Sequence, residues 1–111
     1  MKKNLIKIRH VGIVSKDLEK SLNFWINQMD FKIFKEMNEE GDHIDSITNK
    51  KNSKVKTVKL IGPGNFMIEI LDFENNDSPI INSKAYSYGI THIAIELEDI
   101  NKKYRELKSA G

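Results

Sequence analysis

Hydrophobic residues in the N-terminal half of the chain follow the spacing of strands and of one helix. Residues 5–14 are rich in β-branched side chains and predict a first strand. Asp17 is placed to cap a helix. The apolar residues that follow it recur at helical spacing: Leu18, Leu22, Trp25, Ile26 and Met29. Residues 31–37 predict a second strand, and the polar residues 38–53, which lack a sustained period, predict a long loop.

The next segment predicts a β-hairpin and then a linker. Residues 55–61 alternate between two faces and predict a third strand. Residues 62–65, Gly-Pro-Gly-Asn, are a strong turn signal, and residues 66–73 predict the returning strand. Residues 74–88 are rich in Asn, Asp, Ser and Pro, and predict a linker.

After the linker, the pattern of the N-terminal segment begins again. Residues 90–97 predict a strand, and a helical stripe follows, made of Ile100, Tyr104 and Leu107. Three polar residues recur at a separation of 82 residues, in the same order relative to the strand and the helix: His10 and His92, Asp17 and Asp99, and Lys20 and Lys102. This recurrence favours a duplicated βαβββ half-domain.

The composition is that of a globular chain with room for one domain. It has 111 residues, 39% of them hydrophobic and 31% charged. We find neither a run of roughly 20 apolar residues nor a signal peptide, so we expect a cytoplasmic protein without a membrane partner. The net charge of +2 is scattered along the chain, which gives no reason to expect a nucleic-acid partner. Because the chain has no cysteine, a metal would be held by His, Asp, Glu or other oxygen ligands.

Strand alternation predicts that three ionisable side chains share one side of the sheet. His10, Glu69 and His92 each lie on the less bulky face of a predicted strand. A carboxylate among apolar strand neighbours is costly unless it is paired or bound to a cation. Two imidazoles and one carboxylate match the ligand preferences of Zn, Ni, Co, Mn and Fe, so we predict a divalent metal site at these residues.

Each of these residues also has a purely structural interpretation. The two histidines could be satisfied core residues, and Glu69 an exposed carboxylate of an edge strand. Their shared face and the repeat-equivalent positions of His10 and His92 favour the metal site. For His43 we favour a solvated loop residue, and for Glu96 a solvated strand end. We interpret Trp25 as a core residue.

Four segments resemble the vicinal oxygen chelate superfamily, which includes glyoxalase I, methylmalonyl-CoA epimerase, extradiol dioxygenases and bleomycin-resistance proteins. They are Ile-Arg-His-Val-Gly-Ile at 8–13, Leu-Glu-Lys-Ser-Leu-Asn-Phe-Trp at 18–25, Met-Ile-Glu-Ile-Leu at 67–71, and Gly-Ile-Thr-His-Ile-Ala-Ile-Glu at 89–96. The resemblance implies an α+β fold of paired βαβββ modules with a cupped metal site. It places His10, Glu69 and His92 at three of the four positions that hold a divalent metal in the family.

The resemblance also implies a domain organisation. Residues 1–111 would be a single domain, with a first module at 5–73, a linker at 74–88, and a second module that starts at 89–111 and is truncated after its first strand and helix. The fourth ligand, usually a Glu, belongs to the missing strands. We expect either a fragment of a longer enzyme or completion of the sheet by another chain, and no activity from this chain by itself. The exposed sheet edge further predicts a homodimer.

By this resemblance, the function is that of a metal-dependent lyase or isomerase of the lactoylglutathione lyase type, acting on a small molecule. The divalent metal ion would bind two neighbouring substrate oxygens and stabilise an enediolate. The catalytic base would be Glu69, or the absent fourth carboxylate, once it is displaced from the metal. An epimerase like methylmalonyl-CoA epimerase and an extradiol dioxygenase remain alternatives. So does a non-catalytic binding protein like the bleomycin-resistance members, although such a protein would not need His10, Glu69 and His92.

Overall fold

The computed structural model describes residues 4–74 and 77–111, in two units. The first unit is Met1–Ser78 and the second is Pro79–Gly111. The boundary falls within residues 74–88, which the sequence predicts to be a linker. Residues 77–84 of that segment have no regular structure, and its residues 75–76 lie outside the described residues.

A four-stranded mixed sheet forms the first unit. Its strands are β1 (Val11–Val14), β2 (Lys32–Glu40), β3 (Lys54–Ile61) and β4 (Met67–Phe73). They are arranged in the order β1-β4-β3-β2. Strand β1 is parallel to β4, and the other neighbours are antiparallel. A helical crossover joins β1 to β2, so this unit is the predicted βαβββ module of an α+β fold.

The predicted helix forms the crossover. Helix α1 (Leu18–Leu22) begins after Asp17, whose carboxylate accepts a hydrogen bond of 3.0 Å from the backbone N–H of Lys20. A π-helical segment, Asn23–Gln28, continues it. The prediction of a capped helix with an apolar stripe is therefore confirmed.

The core lies between this crossover and one face of the sheet. Its buried members are Trp25, Phe31, Val58, Leu60, Ile68 and Ile70. Leu18, Leu22 and Ile26 of the crossover pack against them. The alternation predicted for β3 and β4 is confirmed, because Val58 and Leu60 of β3, and Ile68 and Ile70 of β4, enter the core from one face of the sheet. The residues between them point to the opposite side of the sheet, which we call the site face.

The first strand is shorter than predicted. Strand β1 starts at Val11, and residues 4–10 have no regular structure. The reason is the register, in which Val11 lies opposite Ile68. Since β4 begins at Met67, it has no residues left to pair with the chain before His10. His10 therefore precedes the strand, although the sequence predicted it inside one.

The predicted long loop at residues 38–53 is wrong. Strand β2 continues to Glu40, and helix α2 spans Asp42–Thr48. Polar residues are tolerated in β2 because it is an edge strand with one side open to water. The start of α2 is acidic, as helix N-termini favour. Its Ile44 is buried, and the carboxylate of Asp45 accepts hydrogen bonds from the backbone N–H groups of Asn52 and Ser53.

The turn at residues 62–65 is confirmed, and the packing around it requires a residue without a side chain at position 62. A Cβ atom at Gly62 would lie 2.6 and 2.7 Å from two ring carbons of Phe31, which is too close. We expect Gly62→Ala to lower the free energy of unfolding by about 1–3 kcal/mol through overpacking, measured by urea denaturation. Gly64 has a φ of 72° and open space around it. Gly64→Asn is the matched control and should be nearly neutral, because Asn tolerates left-handed backbone; equal losses in both variants would contradict the steric argument.

The second unit contains one helix, α3 (Ile100–Ala110). Asp99 caps it as Asp17 caps α1, with a 3.0 Å hydrogen bond from the N–H of Lys102. The two caps have nearly the same backbone angles, φ −136° and ψ 95° at Asp17 and φ −135° and ψ 94° at Asp99. This local likeness supports the repeat. In the part of the chain that is described, no helix is long and apolar enough to cross a membrane.

The strand predicted at residues 90–97 is not formed. These residues have no regular secondary structure, and Ile90 is almost fully exposed. A strand needs a neighbour to satisfy its backbone N–H and C=O groups. The described residues of the second unit contain no other strand with which this segment could pair.

Candidate functional site

A row of polar residues crosses the site face. The register pairs Gly12 of β1 with Glu69 of β4. Glu69 is paired in turn with Lys59 of β3, and Lys59 with Lys35 of β2. Directly opposed residues of neighbouring strands point to the same side of a sheet. One carboxylate and two ammonium groups therefore share this row, beside a glycine that adds no side chain.

His10 and Glu69 meet at the β1 side of the row. The Nε2 atom of His10 lies 3.3 Å from Oε2 of Glu69, with exposed side-chain fractions of 31% and 15%. Gly12, which is opposite Glu69, adds no side chain here, and a Cβ atom in its place would lie 3.4 Å from Cδ1 of Leu71. Two ligands of one metal ion, each about 2.0–2.2 Å from it at tetrahedral or octahedral angles, lie about 2.8–3.6 Å apart. The pair therefore fits two positions of a metal site that is still partly accessible to solvent.

Lys59 approaches the same carboxylate from the other side. Its Nζ atom lies 3.9 Å from Oε2 of Glu69, and 18% of its side chain is exposed. The sequence pattern placed Lys59 on one face of β3 but assigned it no role. The alternation in β3 and β4 predicts the face on which each residue lies. Only the register between the two strands shows that Lys59 and Glu69 are directly opposite each other.

The third predicted ligand, His92, belongs to the second unit. Its side chain is exposed, and its Nδ1 atom lies 2.9 Å from the hydroxyl of Thr91. Within residues 4–74, no third His, Asp or Glu joins His10 and Glu69 in a group that could hold a metal ion. The three-residue metal site thus stays a prediction, of which the first unit brings two members together.

The other two ionisable candidates are exposed. His43 lies on α2 rather than in a loop, because the predicted loop contains that helix, and its side chain faces solvent. Glu96 is an exposed residue of the segment without regular structure. Trp25, by contrast, is in the core as predicted, with its ring in edge-to-face contact with Phe31 at 5.1 Å.

A cavity of about 350 Å³ lies at the other end of the sheet. Its lining residues are Asn38, Glu39, Glu40, Lys54, Val55, Lys56, Asp72 and Glu74. Charged surface side chains dominate it, and two of them, Lys54 and Glu40, lie 3.7 Å apart as an ion pair. Ligand pockets are lined mainly by apolar and aromatic groups. We therefore place the candidate site at His10 and Glu69 rather than in this cavity.

Comparison with known proteins identifies the family to which the chain belongs. The sequence model of the Glyoxalase/Bleomycin resistance protein/Dioxygenase superfamily matches residues 7–111. The chain belongs to this superfamily. Among curated proteins, an uncharacterized protein of Bacillus subtilis, YwkD, is 25% identical over 107 residues, which are 96% of this chain and 73% of that protein.

Solved structures of the superfamily share the fold. A glyoxalase family protein from Bacillus cereus superposes with a TM-score of 0.72 at 20% identity, over 99% of this chain and 75% of that one. The fosfomycin resistance protein FosX from Listeria monocytogenes superposes with a TM-score of 0.59 at 21% identity, over 96% of this chain and 70% of that one. FosX has also been solved in complex with Mn(II) and a sulfate ion, and that structure gives a TM-score of 0.56. Superfamily members commonly bind a divalent metal.

Proposed function

We propose that this chain belongs to a metal-dependent lyase or isomerase of the glyoxalase type. The observation that carries the proposal is the 3.3 Å approach of His10 Nε2 to Glu69 Oε2 at a half-buried position on the site face. The substrate would be a small molecule with two neighbouring oxygens, which is the chemistry that the superfamily resemblance implies.

The proposed metal ligands are His10, Glu69 and His92. A bound divalent ion polarises carbonyl oxygens as a Lewis acid and stabilises negative charge that develops on them. Manganese, nickel, cobalt, zinc and iron all accept a set of imidazole and carboxylate ligands. The support from the first unit is the closeness of two candidate ligands, His10 just before β1 and Glu69 in β4.

Glu69 would be the catalytic base. Its carboxylate is held at the middle of β4, between the buried residues Ile68 and Ile70, which fixes its backbone. In a lyase or isomerase of this type, a carboxylate displaced from the metal would accept the proton that leaves the carbon next to the carbonyl.

The ion pair with Lys59 favours a second candidate function. An ammonium group 3.9 Å from Glu69 already supplies a cation to this carboxylate. A non-catalytic protein that binds a small molecule, like the bleomycin-resistance members of the superfamily, could use the site face in that state. An epimerase or a dioxygenase would use the same two ligands as the lyase.

We also propose that the chain is organised as the superfamily resemblance implies. Residues 5–73 would be the complete first module, residues 74–88 the linker, and residues 89–111 the beginning of the second module. Strand β1 has a neighbour on one side only among the described strands. A homodimer would cover such an edge.

Metal titration tests this function. We expect the wild-type chain to bind about one Mn²⁺, Ni²⁺, Co²⁺, Zn²⁺ or Fe²⁺ per chain, measured by isothermal titration calorimetry after removal of metals with a chelator. Binding of a hemithioacetal, methylmalonyl-CoA or a catechol to the metal-loaded chain, measured in the same way, then distinguishes the lyase, epimerase and dioxygenase. If none of the five metals binds, the enzyme proposal is wrong and the binding protein is favoured.

A further inference from the structure

We propose that Lys59 is the anion-binding residue of this site. In the metal-free protein its ammonium group pairs with Glu69. When a divalent cation takes that carboxylate, the ammonium group is released to bind an anionic oxygen of the ligand. The inference deepens the proposed function and rests on it, because it requires a cation at Glu69.

The contacts around Glu69 lead to this inference. Both His10 Nε2, at 3.3 Å, and Lys59 Nζ, at 3.9 Å, approach the same oxygen, Oε2. Among the described residues, Glu69 is the ion-pair partner of Lys59. A divalent cation on this oxygen would lie within a few ångströms of the ammonium group and repel it strongly, since the site is partly buried. The side chain of Lys59 is unbranched and flexible, so it can swing away along the site face.

The row on the site face has an excess of positive charge. Lys35 is directly opposite Lys59, and like charges in such cross-strand pairs are destabilising. In the described part of the chain, no carboxylate lies within ion-pair distance of Lys35. The next carboxylate on this side of β2 is Glu39, four residues along the strand, and it accepts a hydrogen bond of 3.0 Å from Thr57. A released Lys59 therefore has no second protein anion beside it.

The ligand that fits this arrangement is a small oxyanion. An oxygen of a carboxylate or phosphate group would restore neutrality beside the cation, and lysine binds such groups as a point charge. The substrate class proposed above is thereby narrowed to small molecules that carry an anionic group close to their metal-binding oxygens. Lys35 would add attraction from the neighbouring strand.

Lys59→Met tests the inference, because it should change two affinities in opposite directions. We expect Mn²⁺ to bind about 10-fold more tightly, as the competing positive charge next to Glu69 is gone. We expect the Mn²⁺-loaded variant to bind inorganic phosphate about 10-fold more weakly. Calorimetry measures the first affinity, and paramagnetic broadening of the phosphate ³¹P resonance measures the second, with protein in excess over Mn²⁺. Lys59→Arg should keep most of the phosphate binding.

Lys56→Met is the matched control. Lys56 is on the same strand but points to the other face, where it lies 3.9 Å from Glu36, so both affinities should stay unchanged. If Lys59 were only structural, its replacement would weaken Mn²⁺ and phosphate binding together, and that result overturns the inference. Unchanged phosphate binding in Lys59→Met also overturns it. Absence of Mn²⁺ binding in the wild type overturns the proposed function and this inference with it.

Discussion

Glu69→Gln is expected to lower the affinity of the chain for Mn²⁺ by about 100-fold or more. Glutamine has the size and shape of glutamate but lacks its negative charge, so the variant keeps the packing of β4 and loses the anionic ligand. Mutation of a residue that only hydrogen-bonds to a metal ligand typically lowers metal affinity by about 10–100-fold. The loss of a ligand itself should be at least as large. Calorimetric titration of the metal-free variant measures the loss.

Glu39→Gln is the control for this prediction. Glu39 is also a carboxylate on the site face of a strand, and it accepts a hydrogen bond from Thr57 that a glutamine oxygen can accept as well. Its replacement should change Mn²⁺ affinity by less than about threefold, since it is far along β2 from the metal site. If Glu69→Gln behaved like Glu39→Gln, a metal would not bind at Glu69.

Trp25→Ala is expected to cause the largest loss of stability, about 3–5 kcal/mol in the free energy of unfolding. The indole is 9% exposed and belongs to the buried cluster between the crossover and the sheet. Its removal leaves a cavity that the ring of Phe31, in edge-to-face contact at 5.1 Å, cannot fill. Urea denaturation followed by circular dichroism measures the change.

Phe24→Ala is the neighbouring control for the core. Phe24 contacts Trp25 edge-to-face at 5.0 Å, but 37% of it is exposed. We expect a loss of about 1–2 kcal/mol, because a half-exposed ring buries less apolar area. Similar losses in the two variants would mean that Trp25 is not the central member of the core.

The local features of the fold could be predicted from the sequence because each depends on residues close together in the chain. The cap at Asp17, the stripe from Leu18 onward and the turn at residues 62–65 all form as predicted. So does the cap at Asp99, where the same backbone angles recur 82 residues later. A helix start needs one side-chain oxygen near the N–H three residues on, and that distance is set within one turn.

The errors in strand prediction all concern segments whose structure depends on a partner. Residues 5–10 have strand-forming side chains but no length of β4 opposite them. Residues 90–97 have the same character and no neighbouring strand within the described part of their unit. Conversely, residues 38–40 are polar and still form a strand, because β3 supplies hydrogen bonds to them. The pattern of apolar and polar side chains indicates which residues are buried. Whether a segment forms a strand depends also on whether another segment of backbone lies next to it.

By itself, the sequence determined the βαβββ order, the faces of β3 and β4, and the membership of His10 and Glu69 in one candidate site. Only the tertiary structure decided that Glu69 is 3.3 Å from His10 and 3.9 Å from Lys59. These distances follow from the register of β1 on β4 and of β4 on β3. Register joins residues that are about ten to sixty positions apart in the chain, and alternation along a single strand carries no information about it.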